Sequence, residues 1–297
     1  MPNEHIAIVG AGAVGCYFGA MLARAGVPVT LIGRAHHVEA MNRDGLFLEK
    51  SDYEGYVKVQ ASTEIEVLRD ATVVLLSVKT IDTEKAALQI APHLASDALL
   101  VSFQNGVDNV ERIQRATGID AIPAVVYVAA AMSGVGRVKH YGRGDIVIGD
   151  VPRVAAVFGQ AGIPCRTSDN IAGELWTKLV MNCAYNAVSA VTRSRYLPIK
   201  DNPLTRDVMK DLISEVVAVA TAAGVRIATA DALMEAALKL GDSMATATSS
   251  TEQDLSRGRP TEIDSLNGYV ARRGRELGVP TPVNSTLYTL VKFLETL

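Results

Sequence analysis

Three polar side chains recur at four-residue spacing in an otherwise largely apolar stretch: Lys178, Asn182 and Asn186, within Glu174-Leu175-Trp176-Thr177-Lys178-Leu179-Val180-Met181-Asn182-Cys183-Ala184-Tyr185-Asn186. On a helix each such step drifts by only about 40°, so the three share one face and span about 12 Å along the axis. That is room for a small molecule rather than a polymer. A lysine ammonium, with an ordinary pKa of about 10.4, is charged at neutral pH. It can stabilise and then protonate the alkoxide formed as hydride reaches a carbonyl carbon. The alternative is a stripe that satisfies backbone groups between domains.

A second signal opens the chain. Gly10-Ala11-Gly12-Ala13-Val14-Gly15 follows the apolar run Ile6-Ala7-Ile8-Val9, leads into a predicted helix from Val14 to Arg24, and precedes a predicted strand from Val29 to Ile32. In that strand–turn–helix–strand setting, G-x-G-x-x-G is a dinucleotide-binding pattern. Gly10 permits the tight turn, Gly12 lets backbone N–H groups approach a pyrophosphate, and Gly15 lets the helix pack on the strand. The helix N-terminus adds its positive end. The second strand ends at Gly33-Arg34, where a binder of NAD usually carries an acid for the ribose 2′-hydroxyl. Arg34 suits a 2′-phosphate instead, hence NADP(H), the alternative being a solvated arginine.

A chain of 297 residues exceeds the usual single-domain length, so two domains are expected. The 48% of hydrophobic residues can fill two cores, and a net charge of −3 offers no basic surface for nucleic acid or an anionic membrane. The longest uncharged stretch, 121–136, contains Pro123 and is short for a membrane span, and the first residues lack the regions of a signal peptide. Cys16, Cys165 and Cys183 form no C-x-x-C, and the histidines have no ligand spacing. Neither a disulfide framework nor a metal site is expected, and a reducing cytoplasm is the expected compartment.

Up to residue 168, β-rich runs alternate with helix-like segments. Leu46–Glu49 and Tyr56–Gln60 suggest an appended hairpin, and Thr72–Val78 reads as a strand covered on both faces. A helix is predicted over Thr83–Leu94, with strands at Ala98–Phe103 and Ala124–Ala130. Val138–Tyr141 and Asp145–Ile148 suggest a hairpin around Gly142-Arg143-Gly144, and a last βα-like piece, Arg153–Gln160 then Pro164–Thr167, completes this half. Helices are then predicted at Ile171–Val191, Pro203–Ala223, Ala230–Met244, Ile263–Leu277 and Val283–Leu294. The expected class is α/β: an N-terminal Rossmann-type dinucleotide-binding domain over 1–168, then an all-α domain over 169–297. The helical half is able to support a homodimer, though no feature demands one.

In a doubly wound sheet, ligands sit beyond the carboxyl ends of the strands. Lys79 follows one predicted strand and either meets the adenosine ribose or its phosphate or is a solvated lysine. Asn105-Gly106 follows another, either as a plain turn or with Asn105 on the nicotinamide half of the cofactor or the substrate. Farther on stand Ser249-Ser250-x-x-Gln253-Asp254 and Thr261-Glu262-Ile263-Asp264. Thr261, Glu262 and Asp264 suit a helix start. The functional alternative has Ser250 on a substrate carboxylate and Glu262 reaching the cofactor ribose or Lys178.

Together these segments resemble the ketopantoate reductase (2-dehydropantoate 2-reductase) family, nearly end to end. The resemblance rests on the glycine motif, Gly33-Arg34, Ser77-Val78-Lys79, Gln104-Asn105-Gly106, and Trp176-Thr177-Lys178-Leu179-x-x-Asn182-Cys183-x-x-Asn186. Ser249-Ser250-x-x-Gln253-Asp254 and Thr261-Glu262-Ile263-Asp264-x-x-Asn267-Gly268 complete it. The lysine–asparagine helix joined to T-E-I-D is its most specific part. It implies NADPH-dependent reduction of ketopantoate to pantoate, a step of pantothenate biosynthesis, or of a related small 2-oxo acid. It also implies a Rossmann domain packed on a helical one. By the same resemblance Lys178 is the general acid, Asn182, Asn186 and Ser250 bind substrate, Glu262 contacts NADPH, and Arg34, Lys79 and Asn105 line the cofactor. Two departures stand out. Ala247 occupies a position where family members commonly carry asparagine, and Thr192-Arg193-Ser194-Arg195-Tyr196 lacks another asparagine often found there. Both leave the 2-oxo acid open.

Two other functions compete. A β-hydroxyacid dehydrogenase-like oxidoreductase also places a lysine four residues before an asparagine on a helix, but lacks Thr261-Glu262-Ile263-Asp264. A non-catalytic NADP(H)-binding redox sensor needs no proton donor, which the lysine stripe argues against.

Overall fold

The computed structural model describes residues 4–297. The chain forms two compact units that meet in sequence between Ile171 and Ala172.

The first unit alternates as its sequence indicates, in the order β1 (Ile6–Val9), α1 (Ala13–Arg24), β2 (Val29–Ile32), α2 (Ala35–Asp44), β3 (Leu46–Lys50), β4 (Tyr53–Val57), β5 (Gln60–Ser62) and β6 (Val73–Leu76). Then come α3 (Thr83–Ile90), β7 (Leu99–Ser102), α4 (Asn109–Thr117), β8 (Ile122–Gly134), β9 (Arg137–Ile148), α5 (Pro152–Gln160) and β10 (Cys165–Thr167). The strands lie in the order β4-β3-β9-β8-β7-β6-β1-β2-β5, with β10 on β9. From β8 to β5 every pairing is parallel. Chain order reverses around β1: β2 and β5 extend to one side, β6, β7 and β8 to the other. This is the Rossmann-type arrangement, with its ligand edge at the carboxyl ends of β1, β2, β6 and β7.

The continuous apolar runs follow from burial on both faces. Ile6, Ile8, Val73 and Leu75 enter one core with Phe18, Leu22 and Phe158 from α1 and α5. Ala7, Val9, Val74 and Leu76 enter the other with Ala87, Ile90 and Ile113 from α3 and α4. Alternate residues thus feed opposite faces, so every position of β1 and β6 is buried.

Three local expectations are corrected. Gly142-Arg143-Gly144 is not a hairpin turn. Residues 137–148 form the single strand β9, antiparallel to β8; Gly144 falls in the register shift opposite Tyr127 and Val128, and Arg143 and Gly142, also at positive φ, lie between it and the next shift. Glycines with positive φ serve bulges as readily as turns. Gly144 is also held by packing, because a Cβ there would lie 2.5 Å from the Tyr17 hydroxyl on α1. Second, the partner of β3 is Tyr53–Val57 rather than Tyr56–Gln60, and Gln60 begins β5, which pairs with β2. Third, Thr83–Leu94 and Ile263–Leu277 are not continuous α-helices. The first gives way to a 3₁₀ turn at Ala91–His93, where Pro92 has no N–H to donate. The second is a 3₁₀ turn at Ile263–Ser265, broken from the following helix at Leu266 by φ −109° and ψ −108°.

The second unit is helical: α6 (Ile171–Thr192, whose first residue closes the first unit), α7 (Tyr196–Asp201), α8 (Pro203–Ala222), α9 (Ala230–Ser243), α10 (Ser250–Ser256), α11 (Asn267–Leu277) and α12 (Pro282–Leu294). Local chemistry sets the ends. The Asn202 side chain accepts from the N–H groups of Leu204 and Thr205 to start α8, with Pro203 as first helical residue, and Gly278 at φ 70° closes α11. Short α7 and α10 escape a reading based on apolar periodicity. Among the described residues no helix is long and apolar enough to cross a membrane.

Candidate active site

In the first unit, parallel pairing brings the glycine loop after β1, Arg34 after β2, Ser77-Val78-Lys79 after β6 and Asn105 after β7 to one edge of the sheet. The three motif glycines do different work there. Gly10 has φ +109°, and a Cβ on it would lie 2.8 Å from the backbone of Ser77 and Val78. A Cβ on Gly15 would strike the Gly10 carbonyl and lie 2.7 Å from Ser77 Oγ. The Ser77 hydroxyl donates to that same carbonyl at 2.8 Å, locking β6 to the loop. Gly12 is exposed, and a Cβ there would meet nothing within 4 Å.

The loop amides are partly used internally. The N–H groups of Gly10 and Ala11 both donate to Ile32 O at 3.0 Å, and that of Gly12 donates to Gly10 O at 2.8 Å. The sequence pointed to backbone approach at Gly12; what Gly12 supplies is open space before the helix. The first N–H groups of a helix have no intrahelical partner, and here they belong to Ala13, Val14 and Gly15. The α1 N-terminus has no side-chain cap and no acid in its first turn. Its positive end is therefore uncompensated and suits a phosphate anion.

Arg34 is exposed and is the N-cap residue of α2. Beside it the rings of His36 and His37 lie 4.3 Å apart, and His37 Nδ1 accepts the Gly136 N–H at 3.0 Å. Burial first, then the electrostatic influence of His36 and Arg34, pushes the His37 pKa down, which favours its neutral form. Lys79 is exposed just before a 3₁₀ turn at Thr80–Asp82. Asn105 is half-buried, and its carbonyl accepts from Thr80 Oγ1 at 2.8 Å and Asn109 Nδ2 at 2.7 Å.

In the second unit the polar stripe runs along α6. Lys178 and Asn182 are half-buried and Asn186 is buried. Asn186 Nδ2 donates to Ser250 Oγ at 3.5 Å, a long contact that joins the stripe to the first residue of α10. Ser250 itself is exposed. A residue given no role from sequence makes this possible. Buried Ser249 caps α10, its Oγ accepting the Glu252 N–H at 3.0 Å and donating to Asn186 O at 3.1 Å. Its own N–H donates to Ser189 Oγ at 3.2 Å. The S-x-x-E spacing of Ser249 and Glu252 is a capping-box pattern and was the available signal.

Thr261 and Asp264 serve structure. The Thr261 N–H and hydroxyl both bond Glu295 Oε1, and Thr261 Oγ1 accepts the Ile263 N–H at 3.2 Å. Asp264 bonds the Tyr288 hydroxyl at 2.8 Å and Lys292 Nζ at 3.0 Å. Burial alone would raise its pKa, but those two hydrogen bonds outweigh it and hold the carboxyl low. Glu262 is half-buried between these two anchored neighbours. Of the proposed substrate residues, Asn186 and Ser250 are joined directly by this contact.

The family model described as ketopantoate reductase PanE/ApbA matches residues 6–153, and the one for the C-terminal region of the same family matches residues 170–295. Over 98% of both chains, the protein is 31% identical to a 2-dehydropantoate 2-reductase of Pyrococcus horikoshii. A crystal structure of a PanE/ApbA family ketopantoate reductase from Ralstonia eutropha JMP134 superposes with a TM-score of 0.94, at 45% identity and covering 99% of each chain. A D-mandelate dehydrogenase in ternary complex with NADH and anilino(oxo)acetate gives a TM-score of 0.92 at 25% identity, covering 99% of this chain and 98% of the other.

Proposed function

The chain belongs to the ketopantoate reductase family, and from that premise we propose that it reduces a small 2-oxo acid, first of all 2-dehydropantoate, to the 2-hydroxy acid with NADPH. The observation that carries the reading is the polar face of α6, with Lys178 two turns before an asparagine that meets Ser250. Bound NADPH supplies hydride to the carbonyl carbon. The Lys178 ammonium faces the oxygen that gains negative charge, stabilises it and gives it a proton. Ser250 receives the substrate carboxylate, Asn186 the far hydroxyl, and Asn182 orients the acid between them.

The cofactor roles follow the edge of the first unit. The segment Gly10, Ala11, Gly12, Ala13, Val14 and Gly15 receives the pyrophosphate at the start of α1. Arg34 pairs with the 2′-phosphate, Lys79 meets the adenosine ribose or its phosphate, and Asn105 and Glu262 complete the contacts. Arg34 favours NADPH over the NADH held by the D-mandelate dehydrogenase relative. Cys16, Cys165 and Cys183 are free thiols, which suits a reducing cytoplasm.

The test is a set of initial rates at saturating NADPH with ketopantoate, 2-oxoisovalerate and an aryl 2-oxo acid. Ketopantoate is expected to give the highest kcat/KM, and a site that bonds its hydroxyl can favour it by up to about 10⁴. Lys178→Ala should lower turnover by about 10² to 10⁴ while NADPH binding persists. Preference for another 2-oxo acid overturns the substrate, and turnover of none overturns the reductase reading.

A further inference from the structure

Beneath the two turns that carry Lys79 and Asn105 lies a cluster of buried polar side chains. Thr83 is fully buried, and Gln104 and Asn109 are buried with it. Gln104 Nε2 donates to Thr83 Oγ1 at 2.7 Å and to Val78 O at 3.2 Å, and Gln104 Oε1 accepts from the Ser102 hydroxyl at 3.1 Å. Thr83 Oγ1 lies 2.9 Å from Asn109 Oδ1 and 2.8 Å from Thr80 O, the two acceptors available to its one proton. Asn109 Nδ2 then donates to Asn105 O. The chain of bonds therefore runs from the carbonyl just before Lys79, through three side chains, to the carbonyl of Asn105.

Burial makes this arrangement demanding. Each of these amide and hydroxyl groups loses water on folding and must find a protein partner, so any partner removed leaves another unsatisfied. An apolar filling would pack the same space at less risk. What the polar cluster adds is a fixed separation and orientation of two adjacent strand-end turns. Neither turn has regular secondary structure to hold it, apart from the short 3₁₀ turn at Thr80–Asp82.

We propose that Thr83, Gln104 and Asn109 are positioning residues for cofactor binding, holding the β6 and β7 turns so that Lys79 and Asn105 meet NADPH together. This rests on the cofactor reading above and deepens it. None of the three touches the cofactor; they act through the backbone of the turns. The role predicts non-additivity: once Lys79 has no side chain, its placement is worth less.

The experiment measures NADPH dissociation constants by fluorescence titration, well below the melting temperature, for the full-length parent, Thr83→Val, Thr83→Ser, Asn109→Ala, Lys79→Ala and the pair Thr83→Val with Lys79→Ala. Thr83→Val and Asn109→Ala should each weaken binding about fivefold or more, and Thr83→Ser, which keeps the hydroxyl, should stay within about twofold of the parent. The double variant should lose clearly less than the product of the single effects. Parent-like affinity in a folded Thr83→Val or Asn109→Ala protein overturns the proposal, as does a multiplicative double variant. If Thr83→Val does not fold, Asn109→Ala alone, crossed with Lys79→Ala, decides by the same two criteria. A parent that binds neither NADPH nor NADH would instead sink the cofactor reading.

Discussion

Replacing Gly12 with alanine separates cofactor binding from folding, because the structure gives this residue no packing role. Its φ of −88° and ψ of −168° are open to any residue, and a Cβ would meet no protein atom within 4 Å. Reduced freedom of the unfolded chain favours alanine by about 0.4–1 kcal/mol, while the poorer N-cap costs a similar amount. The net change stays within about 1 kcal/mol, which moves the Tm of a domain this size by about 2–4 °C at most. Binding is another matter. If the pyrophosphate sits at α1 as proposed, the methyl group would fill the space through which it reaches the Ala13 and Val14 N–H groups. Losing one charge-assisted hydrogen bond removes about 1.5–3 kcal/mol, or roughly ten- to a hundredfold in affinity.

Gly15→Ala is the matching control. Its Cβ would drive into the Gly10 carbonyl, a rigid backbone atom, and crowd Ser77 Oγ at 2.7 Å. Overpacking of this kind costs about 1–3 kcal/mol, and Tm should fall by about 2–12 °C. Scanning fluorimetry without cofactor and NADPH titration on each variant read the two effects apart. A Gly12→Ala protein that binds NADPH as tightly as the parent would refute the placement of the pyrophosphate at α1. An unchanged Tm for Gly15→Ala would refute the packing.

Arg34→Ala should raise the KM for NADPH roughly ten- to a hundredfold and leave that for NADH nearly unchanged; equal affinities for the two coenzymes in the parent would remove the basis for this. Ser249→Ala should cost about 1 kcal/mol through loss of the α10 cap and raise the KM for the 2-oxo acid, with NADPH affinity preserved; a change confined to Tm would make Ser249 purely structural. Acid stability should depend on Glu4, whose buried carboxylate is held below its ordinary pKa first by the Arg153 hydrogen bond and also by Thr72, against the cost of burial. A folded-state pKa below the unfolded one contributes stability that is present above the ordinary glutamate range and lost as pH falls through the lowered value. Glu4→Gln should therefore cost about 1–3 kcal/mol at neutral pH and flatten the acid limb of a Tm-against-pH curve, and an unaltered acid limb would place the sensitive carboxylate elsewhere.

Elements with a strong apolar period were legible in the chain. The strands at Ile6–Val9 and Val29–Ile32 and the long helix from Ile171 emerge as expected because burial on a fixed face forces the pattern. The 142–144 segment was misread because positive φ is common to turns and bulges, and only pairing with β8 distinguishes them. Helix α4 was missed for a related reason. It is short and mostly polar outside Ile113, so its existence depends on the sheet beneath it.

The candidate site divides along the same physical line. Residues proposed to touch ligand declare themselves by type and spacing: a lysine four residues from an asparagine, or glycines between a strand and a helix. The residues that hold them do not. Thr83 and Asn109 are ordinary polar residues in sequence, Gln104 stands in a motif without a role of its own there, and the three meet because β6 pairs with β7 and brings two turns into register. Even the glycine motif, legible as a unit, hides its division of labour. Gly10 and Gly15 exclude a side chain because protein fills the space, whereas at Gly12 the space is open. One spacing rule covers both cases, and only the packing separates a residue kept small for the fold from one that the fold itself does not require to be small.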